Sequence, residues 1–372
     1  MERKNKNRKK RKRHSTYFRR LILVRKAAKR WRREFCEKKK KKKRNRKSRS
    51  AEEKEEERLK RIFAGYDFII APQVLSLIDN EEETLGFIRK IKEKYEERKK
   101  VCVRLDKVRE MTTDAVLVLL SNMVQFKLSG IDFNGTKPDN LYLKYKLESS
   151  GFFKRLYGNT MQGNDEFSFS EIGNHLYTHG QKTVVSKLAD SIVEYTSKFV
   201  WGESRRCQGV QLTLLELMHN TFDHADTQKG GKHWWLSVEK DNYTKEVTFS
   251  FIDFGVGIFR SLENKTPDEP LYGSLGELTR KFPWANTEDK KLKLIMEGKI
   301  KKNQDNKYYR GKGLANIYTR YKENKIGSLT IISNYASCNI DRQDFHQLDK
   351  EFEGTFISFK ISNQTISLPW TI

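Results

Sequence analysis

Hydrophobic and polar positions along residues 64–158 follow two alternating periods, which predict a small α/β unit. Short apolar runs predict strands, and apolar residues three and four apart predict amphipathic helices. The predicted strands are 67–70, 101–105 and 130–134, and the predicted helices are 81–97, 112–128 and 139–150. Thr112 is the expected N-cap of the middle helix. Strands that alternate with helices in this way are typical of helices packed on a sheet.

The pattern changes after a polar loop at 158–165, and residues 165–372 predict a larger mixed sheet with helices on one face, an α/β (α+β) fold class. The predicted helices are 184–200, 212–226 and 314–322, and the predicted strands are 233–239, 246–254, 328–333 and 354–361. Residues 263–309 are polar, apart from one apolar helical pattern at 291–296. Because this stretch is longer than ordinary connections, it is expected to form a lid.

Residues 1–60 are expected to be a basic, disordered or helical tail with an acidic connector at 51–61. Residues 1–50 hold 27 lysines and arginines against three acids, a net +24, whereas the whole chain carries +26. The high pI therefore describes the tail and not the rest of the chain. Apolar residues between Phe18 and Phe35 recur at helical spacing and predict a basic amphipathic helix. Such a helix suits nucleic-acid phosphates, with an anionic membrane surface or a solubilising tail as alternatives.

The four cysteines are widely separated and form no Cys-x-x-Cys pair, so neither a disulfide framework nor a zinc site is expected. This usage is typical of a reducing, cytoplasmic compartment. Apolar runs never reach 18 residues, so no membrane span is expected. His175 and His179 are four apart and would share one face of a helix, but without a third ligand surface histidines are favoured over a metal site.

The predicted helix 212–226 carries a row of polar side chains. Glu216, Asn220 and His224 are spaced four apart, which stacks them on one helical face. Leu212, Leu215, Met218 and Phe222 are expected to form the buried side. An ordinary solvated polar face is the simpler interpretation, and the motifs that follow in the chain favour a site instead.

Two glycine-containing motifs follow this helix. Asp253 ends a predicted strand and is followed by Gly255 and Gly257. A carboxylate fixed there can accept a hydrogen bond from an exocyclic amine, and the glycines let a flat ring approach the backbone. The second motif, 310–314, reads Arg-Gly-Lys-Gly-Leu and opens a predicted helix whose exposed N–H groups suit an anion.

Taken in order, Glu-x-x-x-Asn-x-x-x-His, Asp-x-Gly-x-Gly-Ile, Arg-Gly-x-Gly-Leu and Gly-Thr-x-x-x-Phe resemble the GHKL ATPase domain. Gyrase B, heat-shock chaperones, histidine kinases, MutL and anti-sigma-factor serine kinases share that domain. The resemblance covers about half of the chain and implies a Bergerat-type α/β sandwich over residues 165–372. The chain does not resemble a P-loop protein, because its sequence contains no G-x-x-x-x-G-K-[ST] motif.

The resemblance assigns roles to individual residues. Glu216 would be the catalytic base, Asn220 would hold Mg²⁺, and His224 would lie near the phosphates of ATP. Asp253 would bind the adenine amine. The remaining expected ATP-binding residues are Gly255, Gly257 and Ile258 beside the ring, Arg310, Gly311, Lys312, Gly313 and Leu314 over the phosphates, and Thr355 on the adenine side.

Residues 64–158 resemble a STAS domain through the segments 104–115 and 141–153. In anti-sigma-factor antagonists, which share this small fold, the first segment carries a phosphoacceptor serine. Asp114 stands at that serine and Thr113 at the serine before it. Asp114 could mimic the charged state permanently, and Thr113 is a phosphosite candidate or simply part of a helix cap. The resemblance implies a regulatory or protein-interaction module.

The sequence therefore predicts an enzyme that binds Mg²⁺ and ATP and either hydrolyses ATP or transfers its γ-phosphate to a protein Ser/Thr. The alternative is an ATP-gated factor with little turnover that binds protein or nucleic acid. A protein partner is expected from the fused STAS-like module. Homodimerisation, as in the gyrase-like branch of the family, stays open.

Overall fold

The computed structural model describes residues 26, 29–40, 50–157, 175–181, 186–224, 233–267, 269, 271–300 and 313–369. The chain divides into two compact units, Met1–Gly65 and Tyr66–Ile372. In the first unit, helix α1 covers residues 29–40 and helix α2 covers Ala51–Ile62. Ser50 and Glu53 form a reciprocal capping box that starts α2. The expected helical connector is therefore present. The expected tail helix is present over 29–40, and its remainder lies outside the described residues.

The second unit begins with a three-stranded parallel sheet of order β1-β3-β5. Its elements are β1 (Asp67–Ile70), β2 (Val74–Leu75), α3 (Glu81–Glu96), β3 (Val101–Arg104), β4 (Glu110–Met111), α4 (Thr113–Leu128), β5 (Phe133–Thr136), α5 (Leu141–Ser149) and α6 (Phe152–Tyr157). The predicted strands and helices are confirmed, except that β5 begins three residues later than predicted. Helix α4 is buried almost all round, which explains its apolar sequence and its weak amphipathic pattern.

A five-stranded sheet of order β10-β11-β9-β8-β6 follows, and each of its described strand pairs is antiparallel. The elements are β6 (His175–Gln181), α7 (Ser186–Trp201), β7 (Arg205–Arg206), α8 (Gln208–His224), β8 (His233–Asp241), β9 (Glu246–Asp253), α9 (Ile258–Glu263), α10 (Ser274–Lys281), α11 (Glu288–Met296), α12 (Gly313–Lys322), β10 (Gly327–Asn339), β11 (Asp344–Ile361) and β12 (Leu368–Pro369). The class is mixed α/β, with parallel and antiparallel sheets.

Both faces of the five-stranded sheet are covered, whereas the sequence pattern predicts helices on one face. On one face, Leu236 and Phe251 belong to a core with α7, α8 and α12. On the other face, Trp235, Ile252 and Phe356 belong to a core with α3 and α4. Successive strand residues alternate between faces, and here one set is largely apolar while the other mixes apolar residues with buried serines such as Ser237 and Ser250. Residues 66–157 and the larger sheet therefore share a hydrophobic core.

Other local predictions differ from the structure. His175 and His179 lie on strand β6, not on a helix, because the segment pairs with β8 at the sheet edge. Leu212, expected on the buried side of its helix, is 45% exposed. The expected lid 263–309 contains the folded helices α10 and α11, and Leu292 and Met296 of α11 lie in the core. Residues 301–309 lie outside the described part. Within that part, no helix is long and apolar enough to cross a membrane.

Candidate functional site

Helix α8 packs its apolar side against the sheet and leaves the predicted polar row on its other side. Leu214, Leu217 and Met218 are buried in the core, while Glu216 and Asn220 are half-buried. The four-residue spacing of the two polar side chains keeps them in one row. His224 is the last residue of α8, and its side chain lies outside the described residues.

Asp253 is the last residue of β9, a strand with paired neighbours on both sides, and its carboxylate is buried. Its Oδ1 accepts a hydrogen bond from the Gly255 N–H at 2.9 Å, and Thr355 is its register partner on β11. Burial raises the pKa of Asp253 from 3.8 to about 6, although hydrogen bonds from Gly255 and Thr355 act in the opposite direction. A buried acceptor with few partners is therefore fixed at the end of this strand.

Gly257 is required by both conformation and space. Its φ is +80°, a region that residues with a Cβ rarely adopt. A Cβ at this position would lie 2.4 Å from Asn334 Oδ1. Gly257 is also the N-cap of α9, so the chain turns at this glycine from the Asp253 strand into a helix whose first residue is Ile258.

Gly313 brings the last predicted motif against the first. It is the first residue of α12, and a Cβ there would lie 2.8 Å from Glu216 Oε1 and 3.0 Å from Asn220 Nδ2. The N-terminus of α12 therefore contacts the polar row of α8 directly. A residue larger than glycine at position 313 would prevent this contact. Arg310, Gly311 and Lys312 lie outside the described residues.

These elements surround a cleft with about 820 Å³ of empty space, part of which is open to solvent. Seven predicted site residues line it: Asn220, Asp253, Gly257, Ile258, Gly313, Leu314 and Thr355. Glu216 and Gly255 do not line the cleft, but each contacts a residue that does.

Sequence reasoning missed the apolar wall of the cleft. Leu262 of α9 lines it, as do Leu271, Ile295 and Ile300 from the stretch expected to be a lid. The apolar pattern at 291–296 was a signal for Ile295, but nothing local indicates that α11 folds back onto the site. These apolar residues give the cleft an apolar wall in addition to polar residues such as Asn220.

Arg320 of α12 is a second charged residue near this helix that the sequence motifs did not indicate. Its Nη1 lies 3.5 Å from the hydroxyl oxygen of Thr213 on α8. Partial burial lowers the pKa of Arg320, and the negative charge of Glu216 acts against this effect. A positive charge therefore lies near the predicted base.

Thr113 and Asp114, which stand at the two serines of the STAS resemblance, lie in the first turn of α4. Both are 4% exposed. Asp114 Oδ2 accepts a hydrogen bond from the Leu77 N–H at 2.7 Å, and burial raises its pKa. Thr113 donates to Glu239 of β8. Asp114 is therefore a buried carboxyl group that accepts a backbone hydrogen bond, and Thr113 is covered by the larger sheet.

The donor set of the cleft fits Mg²⁺ with ATP better than a metal held by protein alone. In the described part of the chain, no three His, Cys, Asp or Glu side chains gather in a cluster that could hold a metal. Mg²⁺ commonly takes one or two protein oxygens and completes its coordination with phosphates and water. The amide of Asn220, beside the start of α12, is suited to that arrangement.

Comparison with known proteins adds no family to these observations. No protein-family model matches the chain. No curated protein matches it either.

Proposed function

We propose that residues 165–372 form a Bergerat-type ATP-binding domain of GHKL character. The observation that carries this proposal is the cleft, in which residues from four distant motifs meet. Asn220, Asp253, Gly313 and Thr355 span 136 positions of the chain and line one cavity. Folding for stability alone would not require a buried carboxylate, a tight glycine and a polar helix face to converge.

The base of ATP is proposed to lie at the Asp253 end of the cleft. Asp253 accepts a hydrogen bond from the adenine amine, and Gly257 allows the ring to approach the backbone. The apolar side chains of Leu262 and Ile295 cover the ring and exclude water from it. A hydrogen bond from the adenine amine to the charged Asp253 carboxylate is strong when water is excluded from it. This end of the cleft therefore supplies base recognition.

The phosphates are proposed to lie at the other end, between α8 and the start of α12. Backbone N–H groups of the first turn of α12 bind phosphate oxygens. Asn220 holds Mg²⁺, which neutralises phosphate charge when bound. Glu216 orients the attacking water or substrate hydroxyl and accepts its proton, while Arg320 lies near that carboxylate.

Incubation of the full chain with γ-labelled ATP and Mg²⁺, alone and with cell lysate, tests this proposal. Release of labelled phosphate indicates hydrolysis, and a labelled protein indicates transfer to Ser or Thr. Asn220→Ala should abolish Mg²⁺-dependent binding. Absence of any ATP binding by the wild-type chain would refute the proposal.

A second candidate function is an ATP-gated factor that binds nucleic acid, and helix α1 favours it. Trp31 and Phe35 are 64% and 47% exposed and stack with ring centroids 5.4 Å apart. Lysines and arginines fill most neighbouring positions of residues 29–40. Exposed rings among cations suit unpaired bases and phosphates. Deletion of residues 1–50 should abolish a salt-sensitive shift of single-stranded RNA or DNA, and an unchanged shift would exclude this function.

A further inference from the structure

Two consecutive residues of β10, Ser333 and Asn334, both contact the loop that follows Asp253. Ser333 Oγ accepts a hydrogen bond from the Ile258 N–H at 2.9 Å. Asn334 Oδ1 accepts from the Phe259 N–H at 3.1 Å. Asn334 Nδ2 donates to the carbonyl oxygen of Val256 at 2.9 Å. Both side chains are almost completely buried.

A break in the strand makes this arrangement possible. Consecutive residues of a regular strand point to opposite faces. The register between β10 and β11 shifts at Ser333 and again after Asn334, and Asn334 has φ +51°. A bulge of this kind redirects a side chain, and asparagine tolerates positive φ better than most residues. The bulge therefore lets both side chains reach one loop.

The amide of Asn334 is itself held in one orientation. Its Nδ2 also donates to Glu351 Oε1 at 3.2 Å. Glu351 Oε2 accepts from Arg260 Nη2 at 2.6 Å, and Arg260 belongs to α9. Because a carboxylate only accepts, it fixes which end of the amide is the donor. The loop from Val256 to Arg260 is thus attached to β10 and β11 at several points.

The same pair contacts the other side of the proposed base site. Ser333 Oγ donates to the carbonyl oxygen of Gly354 at 2.7 Å and lies 3.4 Å from Thr355 Oγ1. Thr355 belongs to the β11 wall of the cleft, and Gly354 immediately precedes it in the chain. Ser333 and Asn334 therefore lie behind both walls without lining the cleft themselves.

We infer that Ser333 and Asn334 are positioning residues for the nucleotide base, an inference that rests on the proposed ATP site. They hold the Gly257 turn and the Thr355 strand at the separation that a purine ring requires. The phosphate end, formed by α8 and α12, receives none of these hydrogen bonds. Loss of the pair loosens base recognition and leaves phosphate binding intact.

The test compares the affinities of ATP and inorganic triphosphate, both with Mg²⁺. Asn334→Ala should raise the Kd of ATP about tenfold or more, since at least one buried hydrogen bond to the loop is lost. The Kd of triphosphate should change less than about twofold, because triphosphate has no base and the lost hydrogen bonds do not reach the phosphate end. Ser333→Ala, a smaller truncation that removes the acceptor of Ile258 N–H, should act in the same direction if Asn334→Ala does not fold.

Asn324→Ala is the matched control. Asn324 also has positive φ (+53°) and donates from Nδ2 to a backbone carbonyl, that of Gln364 at 2.8 Å, but it does not line the cleft. It should lower stability without changing the ratio of the two affinities. Equal weakening of ATP and triphosphate, or an unchanged ATP affinity in both variants, would overturn the inference alone. Failure of the wild-type chain to bind ATP would overturn the proposed function and this inference with it.

Discussion

Asp253→Asn should make the protein more stable at neutral pH while it weakens ATP binding. Asp253 is buried, and its folded-state pKa of about 6 lies above the ordinary value of 3.8. The folded state therefore holds the proton more tightly than the unfolded state does. Above pH 6 the Asp253 carboxyl group of the folded chain is charged. The protein interior solvates this charge less well than water solvates it in the unfolded chain. An asparagine keeps the shape and the acceptor for Gly255 N–H but carries no charge.

The size of the effect follows from the pKa difference. One pKa unit corresponds to 1.36 kcal/mol, so a difference between 3.8 and about 6 costs about 3 kcal/mol at pH 7. The cost falls to about half of this at pH 5, because the folded-state carboxyl is then mostly protonated. Asparagine should recover about 1–3 kcal/mol at pH 7, since its hydrogen bonds are weaker than those of a carboxylate.

Urea unfolding of the wild type and Asp253→Asn at pH 5 and pH 7, without nucleotide, measures the effect. The control is Asp241→Asn, because backbone hydrogen bonds from Tyr243 and Thr244 lower the pKa of Asp241. Because the pKa of Asp241 is lower in the folded chain, its charged form stabilises the folded state above pH 3.8. The Asp241→Asn variant should therefore lose stability. ATP affinity of Asp253→Asn should fall about 10- to 100-fold, the loss of a charge-assisted hydrogen bond. No gain in stability at pH 7, or a gain equal at both pH values, would refute the reasoning.

Three further substitutions test residues in and beside the cleft. Gly313→Ala places a Cβ 2.8 Å from Glu216 Oε1 and should reduce ATP turnover at least about tenfold. The control is Gly276→Ala, because Gly276 lies in α10 with open space around it. This control should leave turnover unchanged and should stabilise the protein by about 0.5–1 kcal/mol in urea unfolding. Glu216→Gln should leave the Kd of ATP within about twofold and lower kcat at least about 100-fold in a phosphate-release assay; unchanged kcat would show that Glu216 is not the base. Gly354→Ala should destabilise by more than about 3 kcal/mol, because φ is +110° and the Cβ would lie 2.0 Å from the carbonyl oxygen of Asp253; a near-normal denaturation midpoint would contradict this.

Local sequence was sufficient for most elements of residues 64–158. Strand β1 and helices α3 and α4 begin and end within one residue of their predicted bounds. The apolar run of β1 and the apolar spacing of α3 are clear signals, whereas α4 is marked mainly by its long apolar sequence. Prediction failed at β6, where the spacing of His175 and His179 has no local signal for a sheet edge. An edge strand is defined by its partner, β8, and that partner is more than 50 residues away.

The candidate site was predictable where a backbone requirement marks the sequence. Gly257 and Gly313 are glycines because neighbouring side chains leave no space for a Cβ. Asn334 carries no such signal. Its role depends on a bulge in β10 and on the loop after β9, which lies 75 positions earlier in the chain.

The sequence by itself determined most of the elements in their order, the polar row of α8 and seven of the residues that line the cleft, since periodicity and glycines record local demands. The tertiary structure alone decided that both faces of the larger sheet are covered, that Ile295 of α11 lines the cleft and that Ser333 and Asn334 contact the loop after Asp253. The physical reason is that burial and hydrogen bonding depend on which distant segments meet. In β9, the burial of both Phe251 and Ile252 shows a layer on each face, but the sequence of the strand does not indicate which helices supply these layers.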